Sequence, residues 1–349
     1  MNKKTAIILF NLGGPDKLES VKPFLFNLFN DRAIINLPQP FRYFLAKLIS
    51  SRREKKAQNI YNQIGGKSPI LELTKQQAEN LEKDLSFYGN FKTFIAMRYW
   101  HPFVKDTIRE ILNYQPNQII LLPLYPQFSS STSNSSINEF LEKFPKDNQI
   151  PIKIICCYPN DENFINSHLN LIEQKLQKYS QYQINEMRFL FSAHGLPQKL
   201  IDAGDPYVFQ IKESTNKIVE KLQKHYGEID FSICYQSKVG PLQWTSPSLE
   251  NELRRTILDK KIPVIIPIAF VSEHSETLVE LDIEYFELAK KLKAKDYIRI
   301  PALNSDSFYI KSLSEICQKI SKESDGDFFC GKNKNPICSK KFKFCPNKF

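Results

Sequence analysis

The sequence predicts an α/β protein of two domains built on parallel sheets, and three observations predict it. The chain has 349 residues, more than one hydrophobic core ordinarily serves. Its apolar residues gather in short, near-continuous runs: "TAIILFNLGG", "FKTFIAMRYW", "NQIILLPLYP", "IPIKIICCY", "EMRFLFSAH", "DFSICYQSK", "KIPVIIPIAFVS" and "DYIRIPAL". Such runs, rather than alternation, mark strands covered on both faces. Amphipathic helical stretches separate most of them, and strand–helix alternation implies parallel sheets.

The eight runs split into two sets of four, with the break placed at the Ser-rich segment 129–136. The expected domains are therefore 1–130 joined by 304–325, and 131–303. The helical stretch "SDSFYIKSLSEICQKISK" is expected to pack back on the first domain. Residues 326–349 form a Cys/Lys-rich tail. No sequence repeat links the halves.

Composition narrows the classes. Hydrophobic residues at 42% and charged residues at 25% are ordinary for a soluble globular protein. The first strand run begins at Thr5, leaving no room for a signal or transit peptide before it, so a bacterial cytoplasmic protein is expected. The uncharged stretch after Arg109 is apolar only around "IILLPLYP", too short to span a membrane. Much of the +10 net charge sits in the tail, which is expected to be solvated and partly disordered. No basic groove with interleaved aromatics is visible, so nucleic-acid binding is not expected.

In chain order, "NLGGPD" follows the first strand without GxGxxG spacing or a P-loop lysine, which argues against a nucleotide. Its glycines suit a close backbone approach to a flat ligand. From Pro23 onward, Phe41, Phe44, Leu45, Leu48 and Ile49 form an apolar helical face with Arg42, Lys47, Arg52, Arg53, Lys55 and Lys56 around it. Either the face packs inward or it rests on an anionic membrane. In "LFSAHGLP", His194 ends a strand, where it serves as a proton acceptor, a metal ligand, a helix cap or a core residue. Gly195 is read as the residue that lets the chain turn.

"FVSEHSETLVELDIEY" holds no lysine or arginine. Glu276, Glu280 and Glu284 fall four apart and line about 12 Å of one helix face. Ser272 is read as a cap for a helix starting near Glu273. A π-type turn would bring the three acids into closer register. A solvated face accounts for them, and so does a path for a divalent cation on hard oxygen ligands, with His274 adding a ligand suited to Fe²⁺. Cys156, Cys157, Cys234 and Cys317 read as reduced core residues. Cys330, Cys338 and Cys345 in the tail miss the usual zinc spacing. In open α/β sheets ligands sit beyond the carboxyl ends of the strands, where Asn11, Arg98, Tyr99, His194, Gln236 to Lys238 and Glu273 to Glu276 fall. A cleft between the two domains is the expected site.

Taken together, "NLGGPD", "YNQIGGKSPI", "MRYWHPF", "LYPQFSSSTSNSS", "FSAHGLP…AGDPY", "YQSKVGPLQWTSPS" and "HSETLVELDIEY" closely resemble ferrochelatase, the last enzyme of haem synthesis. The match runs in order to about residue 320. The resemblance implies a chelatase-like fold of two similar Rossmann-like domains, each with a four-stranded parallel sheet, around a porphyrin cleft. It implies insertion of Fe²⁺, the substrate metal, into protoporphyrin IX, with no cofactor required for the chemistry. By resemblance His194 and Glu276 are the catalytic and metal-side residues. His274, Glu280 and Glu284 continue an acidic path, and Leu12, Arg98, Tyr99 and Trp244 contact the porphyrin. A coproporphyrin III ferrochelatase is the nearest alternative, and a non-catalytic haem- or metal-binding protein on the same scaffold a further one. Peripheral association with the inner membrane is the implied partner contact. Some members carry a [2Fe–2S] cluster on C-terminal cysteines. Here Ser130 stands where the animal type has a cysteine, so an animal-style cluster is not expected, and a variant using Cys330, Cys338 and Cys345 stays open.

Overall fold

The computed structural model describes residues 3–240, 242–323 and 328–347. The chain divides into two compact units, Met1–Cys157 with Leu313–Ile337, and Tyr158–Ser312 with Cys338–Phe349.

The first unit holds β1 (Lys4–Asn11), α1 (Val21–Phe29), α2 (Phe41–Asn62), α3 (Ile70–Leu85), β2 (Asn90–Met97), α4 (Val104–Tyr114), β3 (Gln118–Pro123), α5 (Ser133–Lys143) and β4 (Ile152–Cys157). The second holds α6 (Glu162–Gln177), β5 (Met187–His194), α7 (Gln198–Asp202), α8 (Tyr207–Tyr226), β6 (Phe231–Gln236), α9 (Leu249–Leu258), β7 (Ile262–Pro267), a π-helix (Glu276–Glu284), α10 (Tyr285–Lys291) and β8 (Ile298–Arg299). The chain continues into α11 (Ser307–Ser321) and β9 (Phe328–Cys330).

Both sheets are parallel, in the orders β2-β1-β3-β4-β9 and β6-β5-β7-β8. The central strands β3 and β7 are buried at every position, and β1 and β5 at all but one. That is why these segments read as unbroken apolar runs. In the first unit Ala6, Ile8, Phe10, Ile119 and Leu121 pack with Ile108 and Ile111 of α4 and Phe140 of α5. In the second, Leu190, Cys234 and Ile265 pack with Leu249 and Leu253 of α9, Leu281 of the π-helix and Tyr297.

The structure differs from the expectation in three places. The Ser-rich segment opens α5 rather than separating domains. Phe140 of α5 meets Phe10 edge-on at 6.2 Å and β4 pairs with β3, so the first unit runs on to Cys157. The first sheet has a fifth strand, because β9 from the tail pairs with β4. The described tail is therefore not loose: Phe342 lies 5.0 Å from the ring of Phe209, and Cys330, Cys338 and Cys345 are all buried. The glycine pair after β1 serves the protein's own packing. A Cβ on Gly14 would meet Ser68 at 2.5 Å, and one on Gly13 would meet Trp100 at 3.1 Å.

Lys153 is fully buried on β4, and its ammonium donates to the carbonyls of Ile320 (3.1 Å) and Ser321 (3.0 Å). It thereby satisfies the end of α11, whose residues from Leu313 onward belong to the first unit. On α2, by contrast, Phe41, Phe44 and Leu48 stay 67%, 64% and 46% exposed, while Ala46, Ser50 and Tyr61 turn inward.

Candidate active site

In the second unit the carboxyl ends of β5, β6 and β7 gather the polar residues that their apolar runs release. His194 ends β5 and pairs in register with Gln236 at the end of β6. The π-helix follows the loop after β7. Gly195 is needed for space more than for a turn: a Cβ there would meet the Gln236 carbonyl at 3.1 Å and the Trp244 ring at 3.2 Å. Trp244 accordingly lies edge-on to His194, with centroids 6.2 Å apart.

His194 Nδ1 lies 2.8 Å from Glu276 Oε2. A carboxylate accepts only, so Nδ1 carries a proton, and when the ring is neutral its lone pair is on Nε2. Burial alone would lower the imidazole pKa, but the Glu276 carboxylate and its hydrogen bond, with Glu280 behind, raise it above the ordinary value. Burial would likewise raise Glu276; the charges and hydrogen bonds of His194 and His274 hold it well below the usual carboxylate range. The pair is partly open, with side chains 33% and 28% exposed.

His274 is buried and its Nδ1 donates to the Ser272 carbonyl at 3.1 Å, which leaves Nε2, 3.9 Å from Glu276 Oε2, as the ring's acceptor when neutral. Ser272 does not cap the helix, which starts at Glu276; Thr277 Oγ1 accepts instead from His274 N at 3.0 Å. Gln236 is oriented by the Ser192 hydroxyl, which donates to its Oε1 at 2.7 Å. Its Nε2 then donates to the Glu276 carbonyl (2.9 Å) and to Glu280 Oε2 (3.0 Å). Ser237, in the left-handed region at φ 64°, donates its N–H to Glu280 Oε1 at 2.9 Å, and its hydroxyl sits between the acids, 2.5 Å from Glu280 Oε2 and 3.3 Å from Glu276 Oε2, with one proton to share. Burial, then the Glu276 charge, raise the Glu280 pKa despite these donors. Glu284 is exposed. The acids thus form a row along the π-helix with different surroundings: Glu276 is held low by His194 and His274, Glu280 is raised by burial and by Glu276, and Glu284 is exposed.

In the first unit, Leu12, Arg98 and Tyr99 follow β1 and β2, tied by Arg98 N to the Asn11 carbonyl (2.9 Å) and Tyr99 N to the Leu12 carbonyl (3.0 Å). Arg98 is held between Asp31, at 2.8 Å, and Glu139. The Tyr99 hydroxyl donates to Asp31 at 2.8 Å, and burial, with the Asp31 charge, raises its pKa well above the ordinary value. Tyr99 is 2% exposed.

Each tail cysteine has another cysteine beside it. Cys330 Sγ lies 3.1 Å from Cys157 Sγ within the first unit, and Cys345 is hydrogen-bonded to Cys338 in the second, its thiol lowered to about 7 by that contact. Gln210 Nε2 donates to Cys338 at 3.2 Å. Among the described residues no group of three or more His, Cys, Asp or Glu is arranged to hold a metal ion.

Reasoning from sequence passed over Asp31 and Glu139, the partners of Arg98, and also Tyr297, Arg299 and Asp282 around the π-helix. A charge inside the apolar run "DYIRIPAL" was the signal for Arg299.

Comparison with known proteins bears on this geometry. The Ferrochelatase family model matches residues 4–320. Ferrochelatase of Rickettsia bellii is 51% identical over 348 residues, covering 98% of this chain and 95% of that protein. Ferrochelatases of Rickettsia prowazekii and Pelagibacter ubique are 50% and 48% identical, each covering 98% of the relative. Among solved structures, SirB from Bacillus subtilis with Fe³⁺ shares the fold at a TM-score of 0.53 and 13% identity, covering 91% of this chain and 96% of that one.

Proposed function

The chain belongs to the ferrochelatase family, a family of metal-chelatase lyases, and from that premise we propose that it inserts Fe²⁺ into protoporphyrin IX to give protohaem and two protons. The observation that carries the reading is the His194–Glu276 pair at 2.8 Å, which leaves the Nε2 lone pair as acceptor. Two pyrrole N–H protons must leave the ring as iron enters. His194 takes them one at a time at Nε2, passing the first on before it accepts the second, and Glu276 stabilises each imidazolium that forms. Glu280, whose pKa is raised, is the next acid for each proton, one step along the π-helix before exposed Glu284. This favours proton exit over iron entry along the row. Trp244 beside His194 gives an apolar surface on which a bent macrocycle is held, so that binding offsets ring strain.

The exposed Phe41, Phe44 and Leu48 of α2, with basic residues around them, support contact with the surface of an anionic membrane on its cytoplasmic side. Among the described residues no helix is long and apolar enough to cross a membrane. The deciding assay offers Fe²⁺ anaerobically with protoporphyrin IX or coproporphyrin III and follows the Soret band. Preferential turnover of protoporphyrin IX is expected. Preference for coproporphyrin III would overturn the substrate assignment, and no insertion into either would overturn the reaction.

A further inference from the structure

The acid row sits on a conformation that ordinary helices avoid. π-Turns occur mostly as single-turn bulges, yet here nine residues adopt one, with like charges along it. Something must hold that register. Tyr297 and Arg299 lie two apart at the sheet-edge strand β8, so they present one face. The Tyr297 hydroxyl donates to the Leu281 carbonyl, within the π-helix, at 2.8 Å. The Arg299 guanidinium forks onto Asp282, with Nε 2.6 Å from Oδ1 and Nη2 on Oδ2. Its Nη1 reaches back to Glu273 Oε1 at 2.5 Å, ahead of the helix. Glu273 is fixed in turn by the N–H of Ala302 (2.9 Å), and its own N–H donates to Asn304 Oδ1 (3.0 Å). Arg299 and Glu273 side chains are each 12% exposed, so the clasp is shielded from salt and water far more than a surface pair. One cation therefore grips both sides of Glu276 and Glu280 without touching either.

We propose that Arg299 is a positioning residue for metal insertion: from β8, together with Tyr297, it clasps the acid-bearing π-helix and fixes the register in which Glu276 meets His194 and Glu280 meets Ser237. The proposal rests on the reaction assigned above. Bidentate geometry makes the site specific to a guanidinium, with lysine a partial substitute that keeps the charge and loses the fork.

The test compares Arg299→Met, Arg299→Lys and Asp282→Asn in the full chain. Steady-state kinetics are varied separately in Fe²⁺ and porphyrin, and amide hydrogen exchange is followed over residues 273–285. Arg299→Met is expected to lower kcat/KM for Fe²⁺ by ~10–100-fold while porphyrin KM stays within about twofold, as for other residues that orient metal-handling groups. Arg299→Lys should recover part of that loss, and Asp282→Asn should show a smaller change of the same kind. Exchange across 273–285 should quicken relative to β5. Wild-type metal kinetics and exchange in Arg299→Met would overturn the proposal, as would equal losses in metal and porphyrin parameters with lysine no better than methionine. If Arg299→Met does not fold, Asp282→Asn decides, since Asp282 is 34% exposed and the substitution keeps its volume. If the wild type inserts no iron, the assigned reaction fails, and the exchange data still decide whether Arg299 holds the helix.

Discussion

Glu276→Gln isolates the charge of the central pair. The glutamine oxygen still accepts from His194 Nδ1, so the 2.8 Å contact survives while the negative charge is lost. Two unit charges at that separation interact by about 1.5 kcal/mol with water-like screening and by about 6 kcal/mol at an effective dielectric of 20. With side chains a third and a quarter open to solvent, the lower half of that range applies, roughly 2–3 kcal/mol. If the imidazolium forms as a pyrrole proton leaves, the transition state loses that stabilisation, and kcat falls about 30- to 160-fold. The pH profile gives a second reading. A base must be neutral, and Glu276 raises the His194 pKa against the lowering effect of burial, so wild-type activity appears as pH climbs through a value above the ordinary one. Without the carboxylate, burial dominates and the acid limb moves to lower pH. The assay is anaerobic Fe²⁺ insertion followed at the Soret band across pH, with porphyrin affinity read separately by fluorescence. A kcat within threefold of wild type and an unmoved acid limb would refute the charge argument.

His194→Ala removes the acceptor itself, and is expected to reduce insertion by ~10²–10⁴-fold while porphyrin binding persists; near-normal turnover removes the base assignment. Glu280→Gln combined with Glu284→Gln should slow turnover more than it weakens porphyrin affinity, and equal losses in both would mean the row does not carry protons. Phe41→Ser with Phe44→Ser should weaken sedimentation with anionic vesicles and leave turnover of detergent-dispersed porphyrin unchanged, since both rings are largely exposed; unchanged vesicle binding would remove α2 from the membrane contact.

The sequence by itself determined the α/β class and eight of the strands, because strands buried on both faces cannot hide their apolar runs. It also determined which residues leave those strands as polar ends. His194, Gln236 and Ser237 were visible for that reason, and the glutamates because four-residue spacing places them on one side of an α-helix or π-helix. The resemblance drawn from its motifs agrees with the family to which the chain belongs. The fifth strand escaped notice because "FFC" is too short to signal by period and gains its stability only from the β4 edge it pairs with.

Only the tertiary structure decided what each polar residue faces. The exposed apolar side of α2 has the same helical pattern as a packed one; only its neighbours show it unburied. The glycines of "NLGGPD" read as a close approach to a flat ligand until Ser68 and Trp100 are seen against them. Arg299 is 23 residues from Glu276 in the chain, and nothing local joins them. Local patterns encode backbone period and burial, whereas a hydrogen bond between distant side chains exists only once the strands have fixed both ends. The partner of His194 Nδ1, the opposite shifts of Glu276 and Glu280 and the grip on the π-helix are all of that second kind.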